Sequence, residues 1–361
     1  MIKFSTFKHF VKILFLISIL FSGITDGIIA QEWKDVKSSS QRPLTLKAQG
    51  SFYVGGETVS QSFDELGSFG PGNNITVNQM YVRYMIPNVR KPKLPIVMIH
   101  GMALTGKSWE TTPDGRMGWD EYFVRKKHPT FVVDQVARGR SGFNQAILNN
   151  IRTKKVAADS LLPVRRFSDE WVWPNFRVGL EENEPYSNTL FPTDYMGELS
   201  KQGVPDLSGT LPDYSLNYKS LAELACELGK AVLISHSQSG VFPMQAALIN
   251  PKGIAAIVSL EPGWCSMRLN AEQVKILAGI PILIVFGDYL ETPIRDEAFW
   301  LNACEDCESF SENLNKAGGN AKVLRLSEEG IKGNSHMLMQ DKNNLQIADL
   351  VLKWIGENTE Q

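Results

Sequence analysis

The chain has 361 residues, 43% of them hydrophobic and 21% charged, an ordinary globular composition with enough apolar material for a large buried core. Its 37 basic side chains nearly balance its 39 acidic ones. No broad field therefore favours nucleic acid or an anionic membrane surface, and no nucleic-acid partner is expected.

The first thirty residues differ in texture from the rest. Lys3, Lys8 and Lys12 precede an apolar run over residues 13–21, and the segment ends in the small residue Ala30. This pattern predicts a signal peptide over residues 1–30, cleaved near Ala30. A membrane anchor is the alternative, but the run falls short of the ~20 apolar residues a bilayer span requires. The mature protein is thus expected to be secreted or periplasmic, with no membrane association after signal removal. A polar linker is expected over 31–44 and one domain over 45–361.

Two segments of alternating polarity, 52–59 and 75–86, predict an antiparallel hairpin or early strands. The sequon Asn74-Ile75-Thr76 is short enough to arise by chance, and no function is attached to it. Beyond residue 90 the apolar runs become continuous, at 96–99, 131–133, 231–234, 254–260 and 282–286, as in strands buried on both faces. A last strand is expected near 322–326. Helical patterns at 218–228, 241–248, 297–316 and 345–354 alternate with these runs, which predicts an open, doubly wound, mostly parallel α/β sheet.

The stretch 149–213 breaks this rhythm with Trp171, Trp173, Phe176, Tyr186, Phe191 and Tyr195 among several prolines. It is too long for a plain connection and is expected to form an inserted cap or lid over the strand ends. Most of its aromatic side chains are expected to pack the insertion itself, with one or two facing a substrate.

The strongest motif lies at 231–240, where an apolar strand runs straight into Ser-His-Ser-Gln-Ser-Gly and then into a helical pattern. A nucleophile elbow needs this context, because the reactive serine sits on a sharp strand-to-helix turn flanked by small residues at two positions on either side. Ser237 has Ser235 and Ser239 as those flanks, in place of the usual glycines. An unreactive Ser-rich turn is the competing reading.

A serine hydroxyl needs a neighbouring base, normally histidine. Of five histidines, His9 leaves with the signal, His100 ends a strand, His128 precedes one, and His236 adjoins the nucleophile and so points elsewhere. His336 remains, in a polar loop between the last strand and the C-terminal helix, where a catalytic imidazole is expected in this fold. The carboxylate that orients it has two candidates, Glu261 and Asp288, each at the end of a strand and each giving the order Ser, acid, His. The residues alone do not rank them. Oxyanion donors are expected from the backbone N–H of Gln238, next after the nucleophile, and of Met102, in the turn after the strand 96–99. Gly101 lets that turn pass closely beneath a substrate. A Gly-rich turn at 134–142 is expected to pack beneath the elbow, with Arg138 or Arg140 as secondary candidates for contact with a substrate carboxylate.

Four cysteines, Cys226, Cys265, Cys304 and Cys307, suit an oxidising compartment. Cys304 and Cys307 lie three apart in a segment of helical composition, share a face, and are predicted to be bridged. Neither a redox role nor a zinc site suits this pair, which follows no strand and has no second ligand pair.

Together, residues 100–110, 134–142, 235–240, 259–263 and 333–336 resemble a small group of secreted bacterial esterases in the α/β-hydrolase superfamily, a similarity running from about residue 45 to the C-terminus. The resemblance implies Glu261 as the acid, Met102 and Gln238 as the oxyanion donors, and a Cys304–Cys307 bridge. Some members carry two adjacent cysteines where this chain has Met102-Ala103, so a vicinal disulfide in that loop is absent here.

The combined expectation is a serine esterase acting on small-molecule carboxylic esters through an acyl-serine, with no cofactor or metal. An amidase, peptidase or polyester depolymerase shares the same site, and a non-catalytic binding protein is the rival from another class.

Overall fold

A computed structural model describes residues 43–161, 163–207, 214–294 and 297–359. The expected signal peptide and most of the linker lie outside the described residues.

Continuous runs of Val and Ile form the centre of the fold. Among the described residues, eight strands make one sheet in the order β1-β2-β4-β3-β7-β8-β9-β10. The first pair, β1 (Leu46–Gln61) and β2 (Asn73–Pro87), is an antiparallel hairpin much longer than the alternating segments alone indicate. β2 joins β4 (Thr130–Asp134) antiparallel, while β3 (Ile96–Ile99) lies parallel between β4 and β7 (Ala231–His236). β8 (Ile254–Leu260), β9 (Ile282–Phe286) and β10 (Ala321–Arg325) continue the sheet in parallel. The doubly wound α/β expectation therefore holds, with the antiparallel hairpin closing one side. β5 (Gly179–Glu181) and β6 (Glu184–Pro185) pair separately within the 149–213 segment.

Period-two alternation explains why the central strands are apolar throughout. Val97 and Ile99 of β3 face a layer that includes Leu221, Phe242, Leu277 and Leu314, whereas Ile96 and Met98 face Trp119, Phe123, Ile347 and Val351. The first layer comprises helices over Ser215–Glu227, Phe242–Ile249, Ala271–Ala278 and Phe299–Lys316; the second comprises Trp119–Arg125 and Asn344–Thr359. Phe167, Val172, Trp173, Phe176 and Phe191 of the 149–213 segment also pack into the second layer, so that segment shares the main core as well as packing itself. No helix among the described residues is long and apolar enough to cross a membrane.

The predicted Cys304–Cys307 bridge is corrected by the fold. Cys307 is bonded to Cys265, in the loop after β8, with Cα atoms 4.8 Å apart; Cys304 and Cys226 are free thiols. Both Cys304 and Cys307 lie on the helix Phe299–Lys316. Helical neighbours three apart hold their Cβ atoms about 5–6 Å from each other, beyond the roughly 3.5–4.5 Å a disulfide spans. A partner from another element meets that requirement where a helical neighbour does not.

Candidate active site

The parallel strands β7, β8, β9 and β10 end on one edge of the sheet, and the loops leaving them carry Ser237, Glu261, Asp288 and His336 in turn. Ser237 follows β7 directly, in the left-handed region at φ 58°, before the helix Phe242–Ile249 begins. A non-glycine residue there is strained and raises its side chain above the strand end. Close approach explains the glycines around it. A Cβ on Gly101 would stand 2.9 Å from the Ser237 Cβ, and one on Gly240 would stand 2.4 Å from the Pro262 Cβ. The flanking serines fit because their hydroxyls are bonded: Ser235 and Ser259 donate to Gly240 O at 3.3 and 3.0 Å, and Ser239 Oγ accepts from His236 N–H at 3.2 Å.

His336 Nε2 lies 2.9 Å from Ser237 Oγ, and its Nδ1 lies 3.3 Å from Glu261 Oε2. Ser237 is half-buried, whereas His336 and Glu261 are almost wholly shielded. The three candidate residues, 99 positions apart at the extremes, thus meet in one row. Asp288 does not join them. Its carboxylate accepts from Gly333 N–H and Tyr289 N–H, both at 2.9 Å, and so braces the loop that carries His336.

That loop is held from several sides. Asp341 accepts from Ser335 N–H and from the Asn334 amide at 2.9 and 2.8 Å, His336 N–H donates to Phe176 O at 2.8 Å, and His236 Nε2–H donates to His336 O at 2.9 Å. His236 therefore supports His336 from below. Burial, followed by the nearby His336, lowers its pKa to about 3 and keeps it neutral. Burial also lowers the pKa of His336, against the opposing pull of Glu261. An imidazole of depressed pKa is unprotonated at neutral pH, the state in which it accepts a proton.

Arg177 is the residue that sequence reading missed. Its Nη2 lies 2.6 Å from Glu261 Oε2, both side chains being fully buried, and its Nε–H donates to Asp288 O at 2.8 Å. Burial alone would raise the Glu261 pKa, but Arg177 and His336 outweigh it and hold the carboxyl at about 2. Gly287 N–H also donates to Glu261 Oε1. Arg177 follows the helix Asp169–Asn175, where Arg177 N–H bonds to Pro174 O and Val178 N–H to Trp173 O. This closing pattern normally places glycine at the left-handed position, yet Arg177 occupies it at φ 54°. The turn aims its guanidinium inward.

A cavity of about 600 Å³ opens over Ser237, with Met102, Gln238 and His336 in its wall. The remainder is largely aromatic, including Trp171 and Phe176 of the 149–213 segment together with Trp264, Phe299 and Trp300. Arg138 and Arg140 contribute no charge to it. Arg138 has a side-chain exposure of 1% and pairs with Asp206, while Arg140 Nε lies 2.8 Å from Asp134. The candidate contact between either arginine and a substrate carboxylate is thereby corrected.

A mostly parallel sheet with this row at its strand ends defines the α/β-hydrolase fold. The chain is 46% identical to a solved structure described as a novel bacterial esterase, with a TM-score of 0.83 and coverage of 90% of this chain and 99% of that one. It is also 25% identical over 370 residues to the probable secreted lipase phiG of Fungal sp. (strain ATCC 74256), covering 88% of this chain and 92% of that relative. No family model matches. The chain belongs to this family of bacterial esterases within the α/β-hydrolase superfamily.

Proposed function

We propose that the esterase chemistry of this chain runs through an acyl-serine on Ser237, with His336 as the proton carrier, Glu261 as its orienting acid, and the Met102 and Gln238 N–H groups as oxyanion donors. The observation that carries this reading is the 2.9 Å approach of His336 Nε2 to Ser237 Oγ, with Nδ1 turned toward Glu261.

Ser237 Oγ passes its proton to His336 Nε2 as it bonds to the ester carbonyl carbon. The carbonyl oxygen takes up the electron pair and is held as an anion by the two backbone donors. Collapse breaks the bond to the alcohol oxygen, which leaves with the proton from His336. Water then repeats the sequence, with His336 as base, and releases the carboxylic acid. Glu261 stays ionised throughout and stabilises the imidazolium form.

The 149–213 segment serves as a cap whose Trp171 and Phe176 wall the cavity, which suits an ester with a bulky apolar portion. Export fits the Cys265–Cys307 disulfide and the likeness to a probable secreted lipase. A fluorophosphonate probe tests the reading. It should label Ser237, and Ser237→Ala should lose both labelling and hydrolysis of a nitrophenyl ester. Labelling of another residue, or turnover retained in Ser237→Ala, would overturn the assignment.

A further inference from the structure

We propose that Arg138, paired with Asp206, is a positioning residue for the oxyanion hole, one buried ion pair setting the orientation of both backbone donors. The inference rests on the roles given above to Met102 and Gln238. Arg138 leaves the turn after β4, Asp206 comes from the 149–213 segment, and their side chains are 1% and 0% exposed. Substrate reaches neither. Arg138 Nη2 lies 2.6 Å from Asp206 Oδ1, and from this pair bonds run to both loops of the hole.

On the side of Met102, Arg138 Nη1–H donates to Gly101 O at 3.0 Å. His100 supplies a second donor to the same oxygen. Gln135 N–H donates to His100 Nε2 at 2.9 Å, which leaves the ring proton on Nδ1, 2.9 Å from Gly101 O. In a planar trans peptide the carbonyl and the following N–H point opposite ways. Two donors that hold Gly101 O on the protein side therefore turn the Met102 N–H toward the cavity that Met102 lines. Asp206 Oδ2 also accepts from Ala103 N–H at 3.4 Å and restrains the next peptide.

On the side of the nucleophile, Arg138 Nη2–H donates to Gln238 Oε1 at 2.7 Å, and Gln238 Nε2–H donates to Asp206 Oδ2 at 3.1 Å. Both ends of the Gln238 amide are thus held on the ion pair. The backbone N–H of that residue follows the strained turn at Ser237, so its direction depends on what restrains the loop. A buried ion pair adds little net stability, but its fixed fork ties two loops at set distances. Oxyanion donors act on an oxygen position reached only in the transition state, so a tilt of either loop falls on kcat rather than on substrate binding.

Three variants test this. Arg138→Lys keeps a charge opposite Asp206 but cannot span Gly101 O and Gln238 Oε1 together. The double variant Arg138→Gln, Asp206→Asn removes both charges at once and leaves no unpaired buried ion. Circular dichroism establishes that each is folded, and Asp206→Asn alone serves as a third protein. The measurements are kcat and KM on a nitrophenyl ester, and the Ki of a trifluoromethyl ketone that forms an oxyanion on Ser237. The expected result is kcat lower by roughly 10²-fold, KM within about threefold, and ketone affinity weakened in parallel with kcat. A folded variant with kcat near that of the wild type, or one that loses kcat while its ketone affinity is unchanged, overturns the proposal. Fluorophosphonate labelling separates the two levels of failure. An unlabelled wild-type Ser237 defeats the acyl-serine reading itself, whereas a labelled wild type beside fully active variants removes only Arg138 from the hole.

Discussion

The Arg177 guanidinium stands 2.6 Å from the Glu261 carboxylate, and neither side chain is exposed to solvent. Arg177 lowers the pKa of Glu261, and, after burial and against Glu261, it also lowers that of His336. Replacing it with methionine therefore raises both. The proposed mechanism needs a neutral imidazole and an ionised carboxylate, so both changes are expected to move the acid limb of kcat/KM in Arg177→Met to higher pH, by about one unit. A pH–rate profile that superimposes on the wild type would remove Arg177 from the catalytic arrangement.

The same pair sets a pH dependence of stability. Glu261 titrates at about 2 in the folded protein against an ordinary value of 4.5, so its stabilisation is present above pH 4.5 and is lost as pH falls toward 2. Arg177→Met leaves a buried carboxylate whose remaining partners are the His336 ring and Gly287 N–H, with no cation beside it. A loss of roughly 3–5 kcal/mol at neutral pH is expected in urea unfolding, the usual cost of breaking a buried pair on one side. An unchanged unfolding free energy would contradict the pairing.

The two acids that the residues alone left unranked have different tasks in the structure. Glu261 faces His336 Nδ1, while Asp288 accepts from Gly333 N–H in the loop that carries His336. Glu261→Gln is expected to lower kcat by roughly 10⁴-fold and Asp288→Asn to leave it within about tenfold. The reverse ranking would transfer the orienting role to Asp288.

The sheet was legible in the sequence because its central strands are buried on both faces, which leaves continuous runs such as Ile254–Leu260. Ser237 stood out because an elbow is a local motif with strict limits on neighbouring side-chain size, and His336 because few histidines compete with it. Arg177 left no such mark. Its role arises from a helix-ending turn in a segment without clear periodicity, and its partner lies far along the chain. Arg138 and Asp206 are similar, since a Gly-rich turn reports close backbone packing and not which distant carboxylate an arginine meets. The Cys265–Cys307 pairing is hidden from the sequence for the same reason. Spacing along one helix is visible in sequence, whereas the approach of the Cys265 loop to Cys307 is a property of the packed fold.

Trp171 offers a way to read the acyl or alcohol side of the cavity. It lines the wall beside Phe176, stacks on Phe167 with ring centroids 6.3 Å apart, and belongs to the 149–213 segment rather than to the sheet. Trp171→Ala removes a large side chain from the wall and leaves the Ser237–His336 contact in place. Across nitrophenyl esters of graded chain length, the ratio of kcat/KM for long over short acyl groups is expected to shift by roughly tenfold, because each methylene gained or lost in an apolar pocket is worth about 1–3 kcal/mol. A uniform change across the series would mean that Trp171 supports the wall without touching the substrate.

The Cys265–Cys307 bond ties the loop following Glu261 to the helix that carries Trp300, whose ring centroid lies 4.1 Å from that of His336. Asp306 reinforces the junction by accepting from Cys265 N–H and Ser266 N–H at 2.7 and 2.8 Å. The bridge closes a sequence separation of 42, so Cys265→Ser or Cys307→Ser is expected to lose roughly 2–4 kcal/mol of stability. Cys304 stands apart from this chemistry although it neighbours Cys307 in sequence. It is buried, and burial pushes its thiol pKa up to about 12, so almost no thiolate is present for alkylation. Iodoacetamide treatment of the native protein should therefore leave Cys304 unmodified, and a non-reducing digest should yield one peptide pair joined through Cys265 and Cys307. Recovery of a peptide closed between Cys304 and Cys307 would restore the pairing expected from helical spacing and would detach the Glu261 loop from the helix beneath it.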